Sequence, residues 1–178
     1  LGFIALLPFL IIYRREIKKI SKKQWGTIFW VALFGGALGT VFMTKALFLT
    51  GFKDISVVIL LQKLQPIFAI TLAMIFLHER FPRRFYLYAL ISVVGGYFVT
   101  FKDPFSVFNL PMQTYLIAAF SIAAAFSWGS STVFGKYSLK NINYGLLTAL
   151  RFGLTSLILI VPALYFYRQT FIAINAKE

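Results

Sequence analysis

The sequence predicts an all-α integral membrane protein, a polytopic bundle of helices. Three observations support this: 60% of the 178 residues are hydrophobic, 13% are charged, and the mean hydropathy is +0.81. Soluble domains carry about 25% charged residues. A chain with so few charges cannot cover a surface that faces water, whereas lipid requires no such cover.

Six apolar segments follow one another, and most approach the ~20 residues that a helix needs to cross the hydrocarbon core. The first has no charged flank or initiator Met before it and stops at Arg14 and Arg15, so we expect the chain to be a fragment that begins within a helix. The connections are short, which favours antiparallel neighbours. In order, the segments are residues 1–13, Trp25–Thr50, Ile55–Leu77, Arg84–Phe101, Met112–Phe134 and Tyr144–Tyr167.

The loops between these segments alternate in charge. Lys and Arg dominate RREIKKISKK (14–23), HERFPRR (78–84) and GKYSLKN (135–141), whereas GFKD (51–54) and FKDP (101–104) are balanced. Basic loops stay on the cytoplasmic side of a membrane. The pattern places loop 14–23 in the cytoplasm and explains the net charge of +13 without nucleic acid as a partner.

The first and last segments share a short motif. PFLIIYR (8–14) and PALYFYR (162–168) have Pro, Leu, Tyr and Arg in common, 154 residues apart. The loop charges give these two segments opposite directions. Similar sequences that run in opposite directions indicate an inverted-topology repeat, which is common in secondary transporters. The spacing predicts five helices in each repeat.

Several motifs resemble the EamA type of the drug/metabolite transporter superfamily. ALFLTGFKDISVVILLQKLQPIFAITLAMIFLHERF (46–81) resembles its central signature, and GGYFVTF (95–101) the end of its repeat. FSWGSSTVFGKYSL (126–139) and TALRFGL (148–154) resemble the first two helices of the next repeat.

That resemblance implies ten helices in two inverted five-helix repeats, with both termini cytoplasmic. This chain would hold helices two to seven and be incomplete at both ends. Residues 1–103 would form the first repeat without its first helix and part of its second. Residues 112–178 would begin the second repeat.

Three cations lie within the apolar segments: Lys45, Lys63 and Arg151. A charge at membrane depth costs about 2.5–3.5 kcal/mol, so each is a candidate for a functional role. The acidic residues all lie at segment ends: Glu16, Asp54, Glu79, Asp103 and Glu178.

Lys63 belongs to LLQKLQP (60–66), together with Gln62, Gln65 and Pro66. In an unbroken helix the three polar side chains fan over an arc of about 160°. Pro66 removes a backbone donor and frees the carbonyl of Gln62. These groups predict a wet, substrate-binding cavity. The alternative is that the glutamines join helices and Lys63 pairs with an acid outside this chain.

Three further residues are candidates for substrate binding. Lys45 lies at a depth similar to that of Lys63, where two cations would attract an anionic group, although its side chain could also reach the interface. Arg151 would bind either substrate or helix ends and loops. Trp128 would either pack in the bundle or line the substrate path. Gly35 and Gly39 are expected to permit close helix packing.

The combined prediction is a secondary transporter in a bacterial inner membrane. It would move a small metabolite, anionic or amino-acid-like, by alternating access, in contact with lipids and with helices absent from this chain. The sequence has no cysteine and a single histidine, so we expect neither an enzyme nor a metal or other cofactor. The alternative is a non-transporting membrane protein that holds anionic lipid through RREIKKISKK.

Overall fold

The computed structural model describes residues 2–52, 55–100, 112–140 and 142–175. Within these ranges it contains six long helices, one short helix at Arg14–Ile17 and no strand. Some residues named in the predictions lie outside these ranges, and the structure does not test predictions about them. They are Lys53, Asp54, the FKDP loop, Asn141 and Glu178. The helices are α1 (Gly2–Ile12), α2 (Lys22–Leu49), α3 (Ile55–Leu77), α4 (Arg83–Thr100), α5 (Met112–Leu139) and α6 (Tyr144–Asn175).

Four of these helices, α2, α3, α5 and α6, are long and apolar enough to cross a membrane. The prediction of an all-α polytopic membrane protein is therefore confirmed. The other two predicted segments, which correspond to α1 and α4, are not among these four helices. Helix α1 has 11 residues, and α4 begins with Arg83 and Arg84 in its first turn.

Helix α5 is the centre of the bundle, and α2 runs antiparallel to it. At one end the hydroxyls of Thr27 and Ser138 share a hydrogen bond of 2.7 Å. At the other end the Gln113 amide donates to the carbonyl of Leu49, also at 2.7 Å. These two contacts join α2 and α5 at both ends.

Helix α3 runs parallel to α5. The rings of Phe68 and Phe126 lie 5.6 Å apart, and those of Phe76 and Phe134 lie 5.2 Å apart. The small residues of α5 allow this approach: a Cβ added at Gly129 would lie 2.9 Å from the backbone oxygen of Gln65.

Helix α2 contains a π-helical stretch at Val31–Leu38. Its first carbonyls accept side-chain hydrogen bonds from the neighbouring helices: Ser131 donates to Val31 at 3.4 Å, and Thr155 donates to Ala32 at 3.1 Å. The close packing expected at Gly35 is present, because a Cβ there would collide with Ser131. The wide turn therefore fixes α2 against both α5 and α6.

Helix α3 is broken within LLQKLQP. Its halves are Ile55–Gln62 and Gln65–Leu77, and the amides of Lys63 and Leu64 donate three residues back, at 2.9 and 3.1 Å. Pro66 lies in the first turn of the second half, where its missing N–H costs least. Lys63 and Leu64 therefore interrupt the regular α-helix between Gln62 and Gln65.

Helices α1 and α6 pack side by side in antiparallel directions. A Cβ at Gly153 would lie 2.7 Å from the ring of Phe3, and one at Gly145 would collide with the ring of Phe9. Near the latter contact, the buried residue Leu146 belongs to an apolar cluster that joins these helices to α2.

The described basic loops meet at one end of the bundle. The Lys23 ammonium lies over the ring of Tyr137, 5.6 Å from its centroid. The residue before Tyr137, Lys136, forms a salt bridge of 2.6 Å with Glu79. We call this the basic end.

Candidate functional site

A cavity of about 610 Å³ lies between α5 and α6. Its inner end is formed by the π-helical stretch of α2 and the break in α3, and its mouth lies towards the basic end. Lining residues on α5 run from Trp128 to Leu139, about 16 Å at 1.5 Å per residue. Small-molecule sites typically have volumes of about 300–1,000 Å³.

Gln65, the first residue of the second half of α3, lines the inner end of this cavity. Its backbone oxygen is held against Gly129 of α5. The side-chain amide is half-buried and makes no hydrogen bond with any described residue. The amide therefore offers both a donor and an acceptor to the cavity.

Trp128 also lines the inner end and is half-buried. Its indole rests on Gly39 of α2, where an added Cβ would lie 2.6 Å from Cδ1. Within the described ranges its Nε1 has no hydrogen-bond acceptor. Trp128 thus packs against α2 and also faces the cavity, and its place on a substrate path stays a prediction.

Arg151 enters the cavity from α6 and is half-buried. Its Nη2 lies 3.5 Å from the position that a Cβ would take at Gly35. The only ion pair among the described residues joins Lys136 to Glu79, so no described acid neutralises Arg151. The guanidinium therefore offers N–H donors to the inner end of the cavity.

Three hydroxyls line the wall between the inner end and the mouth. Ser131, Thr132 and Thr148 each donate to a backbone carbonyl, at 3.4, 2.9 and 2.8 Å respectively. A hydroxyl that donates in this way keeps lone pairs that accept hydrogen bonds. The wall therefore suits a ligand with several O–H or N–H donors.

The structure brings together Gln65, Trp128 and Arg151 but places the other three candidates elsewhere. The Gln62 amide donates to the Met43 sulfur, which fits the alternative of a contact between helices. Lys63 is exposed in a groove of about 150 Å³ between α3 and α4, and Lys45 is exposed on α2. Substrate binding by these three residues stays a prediction.

The sequence interpretation did not single out most of the cavity wall. On α6 the lining residues recur at the 3–4-residue spacing of one helical face, and α5 repeats that spacing from Trp128. Polar and aromatic residues at such spacing on two successive apolar helices are the signal that would have found it. The α6 set is Tyr144, Leu147, Thr148, Arg151 and Phe152.

Metal-binding chemistry has no support in the described ranges. They hold no group of three or more His, Cys, Asp or Glu residues close enough to share an ion. The cavity wall presents amide, hydroxyl, guanidinium and aromatic groups instead, which favour binding of an organic molecule.

Comparison with known proteins gives two matches. The sequence model of the EamA-like transporter family matches residues 1–101, more than half of the chain. The riboflavin transporter ImpX of Fusobacterium nucleatum subsp. nucleatum is 44% identical over 147 residues, which cover 83% of this chain and 49% of ImpX. The chain thus spans about half the length of this relative. No solved structure matches it. The chain belongs to the EamA-like transporter family.

Proposed function

We propose that the complete protein is a secondary transporter that moves riboflavin, or a closely related flavin, across the membrane by alternating access. The observation that carries this proposal is the cavity between α5 and α6, in which Gln65, Trp128 and Arg151 have unpaired polar groups. Family membership supports transport, and the relative's name supports riboflavin.

The chemistry of the cavity fits a flavin. Riboflavin joins a flat aromatic ring system, which has an imide edge, to a chain with several hydroxyls. The indole of Trp128 offers a face for stacking, and the Gln65 amide is complementary to an imide, which also presents one donor beside an acceptor. The hydroxyls of Thr132 and Thr148 line the wall where the chain would lie.

The proposed substrate is neutral, whereas the sequence-based expectation was an anionic or amino-acid-like metabolite. That expectation of an anionic or amino-acid-like metabolite assumed two cations facing one site. The cavity holds one uncompensated cation, since Lys136 at its mouth is paired with Glu79. A neutral ligand with electron-rich carbonyl groups satisfies one guanidinium without carrying a full charge.

Alternating access is supported by two features of the helices. Transporter sites commonly lie at interrupted helices, and the cavity ends at the break in α3. The antiparallel packing of α1 and α6 is the relation expected of equivalent helices in inverted repeats. We therefore propose the repeat boundaries 1–103 and 112–178 for this chain.

The proposed location is a bacterial inner membrane, with the Arg14–Lys23 loop in the cytoplasm. The clustering of basic loops at one end of the bundle supports this orientation. The cavity mouth lies towards that end, so the conformation described here would be open to the cytoplasm.

Riboflavin flux in proteoliposomes that contain the complete protein tests the proposal. We expect flux above that of protein-free liposomes, and at least a tenfold loss in Gln65→Leu and Trp128→Leu. Trp25→Leu is the matched control, because Trp25 is exposed at the basic end and outside the cavity. Absence of flux for riboflavin and related flavins would contradict the proposal. Binding of anionic lipid without any flux would favour the non-transporting alternative.

A further inference from the structure

The cavity is electrically asymmetric along its length. At the inner end, Arg151 has no described acid within ion-pair distance. At the mouth, the Lys136 ammonium is 2.6 Å from the Glu79 carboxylate, which cancels its charge. A ligand therefore meets one uncompensated positive charge inside and a neutral pair at the entrance.

Arg151, which lies at the inner end, has no partner for its donors among the described residues. A guanidinium carries five N–H donors and no acceptor, and a half-buried one without partners loses hydration that nothing replaces. Gly35 and Ser131 lie beside it, and Ser131 already donates its hydroxyl to the carbonyl of Val31. The donors of Arg151 are therefore available to acceptor groups of a ligand in the cavity.

The distribution of aromatic and hydroxyl groups follows the same asymmetry. Trp128 and Gln65 lie at the inner end, whereas Thr132, Thr148 and the exposed Tyr144 lie progressively closer to the mouth. A flat ring thus fits the inner end, whereas a hydroxylated chain fits the region nearer the mouth. The order of these regions fixes the direction in which a flavin fits.

We propose that Arg151 sets the orientation of the ligand by donating hydrogen bonds to the carbonyl and ring-nitrogen acceptors of the isoalloxazine edge. The ring then stacks on Trp128 at the inner end, and the ribityl chain points to the mouth at Lys136. This inference rests on the proposed function, since it assigns the ends of the flavin within the same cavity.

The test compares riboflavin with lumiflavin, which has the same ring and a methyl group in place of the ribityl chain. Binding to the complete purified protein is followed by quenching of flavin fluorescence. Loss of a charge-assisted hydrogen bond corresponds to about 10–150-fold in affinity. We expect Arg151→Gln to weaken both ligands by the same factor within that range. Lys140→Gln, which removes an exposed cation outside the cavity, should weaken neither.

Arg151→Lys provides a second variant that retains the charge. It should bind both ligands more tightly than Arg151→Gln and less tightly than the unchanged protein, because lysine lacks the planar fork of donors. It replaces Arg151→Gln if that variant fails to fold.

Three outcomes would overturn the orientation. Unchanged affinity of the Arg151 variants for both ligands would show that Arg151 makes no contact. Weaker binding of riboflavin alone would place Arg151 at the ribityl chain. If the unchanged protein binds neither flavin, the proposed function fails together with the orientation, whereas the first two outcomes leave the proposed function intact.

Discussion

Two cations at membrane depth, Lys63 and Arg151, have different surroundings despite similar sequence contexts. Arg151 is half-buried and lines the large cavity, whereas Lys63 is exposed beside α4. Gln65, two residues after Lys63 and therefore on a nearly opposite side of α3, lines the large cavity instead. At the scale of single residues, the neighbours therefore define the site more than the charge does.

Substitution of Gly35 tests how tightly the inner end of the cavity is packed. A Cβ at this position would lie 2.7 Å from that of Ser131 and would also approach the Arg151 guanidinium. Overpacking of this kind costs about 1–3 kcal/mol. We expect Gly35→Ala to lower the free energy of unfolding by that amount and to reduce flavin binding. Thermal unfolding in detergent and fluorescence titration measure the two effects.

Gly26→Ala is the matched control on the same helix. No atom lies within 4 Å of a Cβ added at Gly26, and alanine is favoured over glycine within a helix by about 0.5–1 kcal/mol. We expect a slight gain in stability and unchanged binding. Equal effects of the two substitutions would show that the contact between Gly35 and Ser131 is absent.

Lys63→Met tests the predicted substrate contact of Lys63. An apolar residue is cheaper in lipid, so the variant should be produced normally. Since Lys63 lies outside the cavity, a substrate contact would occur at another point of the transport path. Loss of such a contact should reduce transport about 10–150-fold. Normal production with normal flux would contradict the prediction, and failed production would indicate an acidic partner outside this chain.

Two interruptions of regular helix determine the architecture at the scale of elements. The π-helical stretch Val31–Leu38 and the break after Gln62 both lie at the inner end of the cavity. The π-helical stretch accepts side-chain hydrogen bonds at Val31 and Ala32, and next to the break the backbone oxygen of Gln65 lies against Gly129 of α5. Such irregular helices often occur at functional sites.

Cross-linking tests the antiparallel packing of α1 and α6. Cysteines introduced together at Phe3 and Gly153 should be joined by a short bifunctional thiol reagent, because the Phe3 ring lies against Gly153. The pair Phe3→Cys and Gly145→Cys should not, since Gly145 contacts Phe9 at the other end of α1. Gel mobility under non-reducing conditions distinguishes the pairs. A reversed pattern would indicate parallel helices and would remove the support for inverted repeats.

Most described charges of the molecule lie apart from its apolar surface, with Lys45 and Lys63 as exceptions on α2 and α3. The described basic loops gather at one end, where Lys23 lies over Tyr137 and Glu79 pairs with Lys136. Large hydrophobic side chains such as Ile91, Phe98 and Leu157 are exposed along the flanks of the helices. This distribution suits a bilayer, in which lipid covers the flanks and water the ends.

Cysteine accessibility tests the orientation of the molecule. The chain has no cysteine of its own, so single cysteines at Ser21 and Lys140 in a cysteine-free complete protein should react with a membrane-impermeant reagent only from the cytoplasm. Cysteines at Phe52 and Met112 should react only from outside. Labelling of all four from one side would contradict the alternating topology.

The sequence by itself determined the membrane class, the positions of the helices and the family. These follow from local composition: apolar runs long enough to cross a bilayer specify α2, α3, α5 and α6 wherever they pack. The boundaries of Ile55–Leu77 agree with the observed helix. Gln65, Trp128 and Arg151 could also be singled out, since polar or large groups at membrane depth are conspicuous in a single sequence.

Only the tertiary structure decided which of these residues share a cavity. A helical wheel separates Gln62, Lys63 and Gln65 around α3, but it does not show that they face Met43 of α2, the groove beside α4 and the large cavity, respectively. The π-helical stretch also shifts the face that Gly35 presents to Ser131. The cavity depends on contacts between residues far apart in the chain, such as Gln65 with Gly129, and no local pattern encodes such distances.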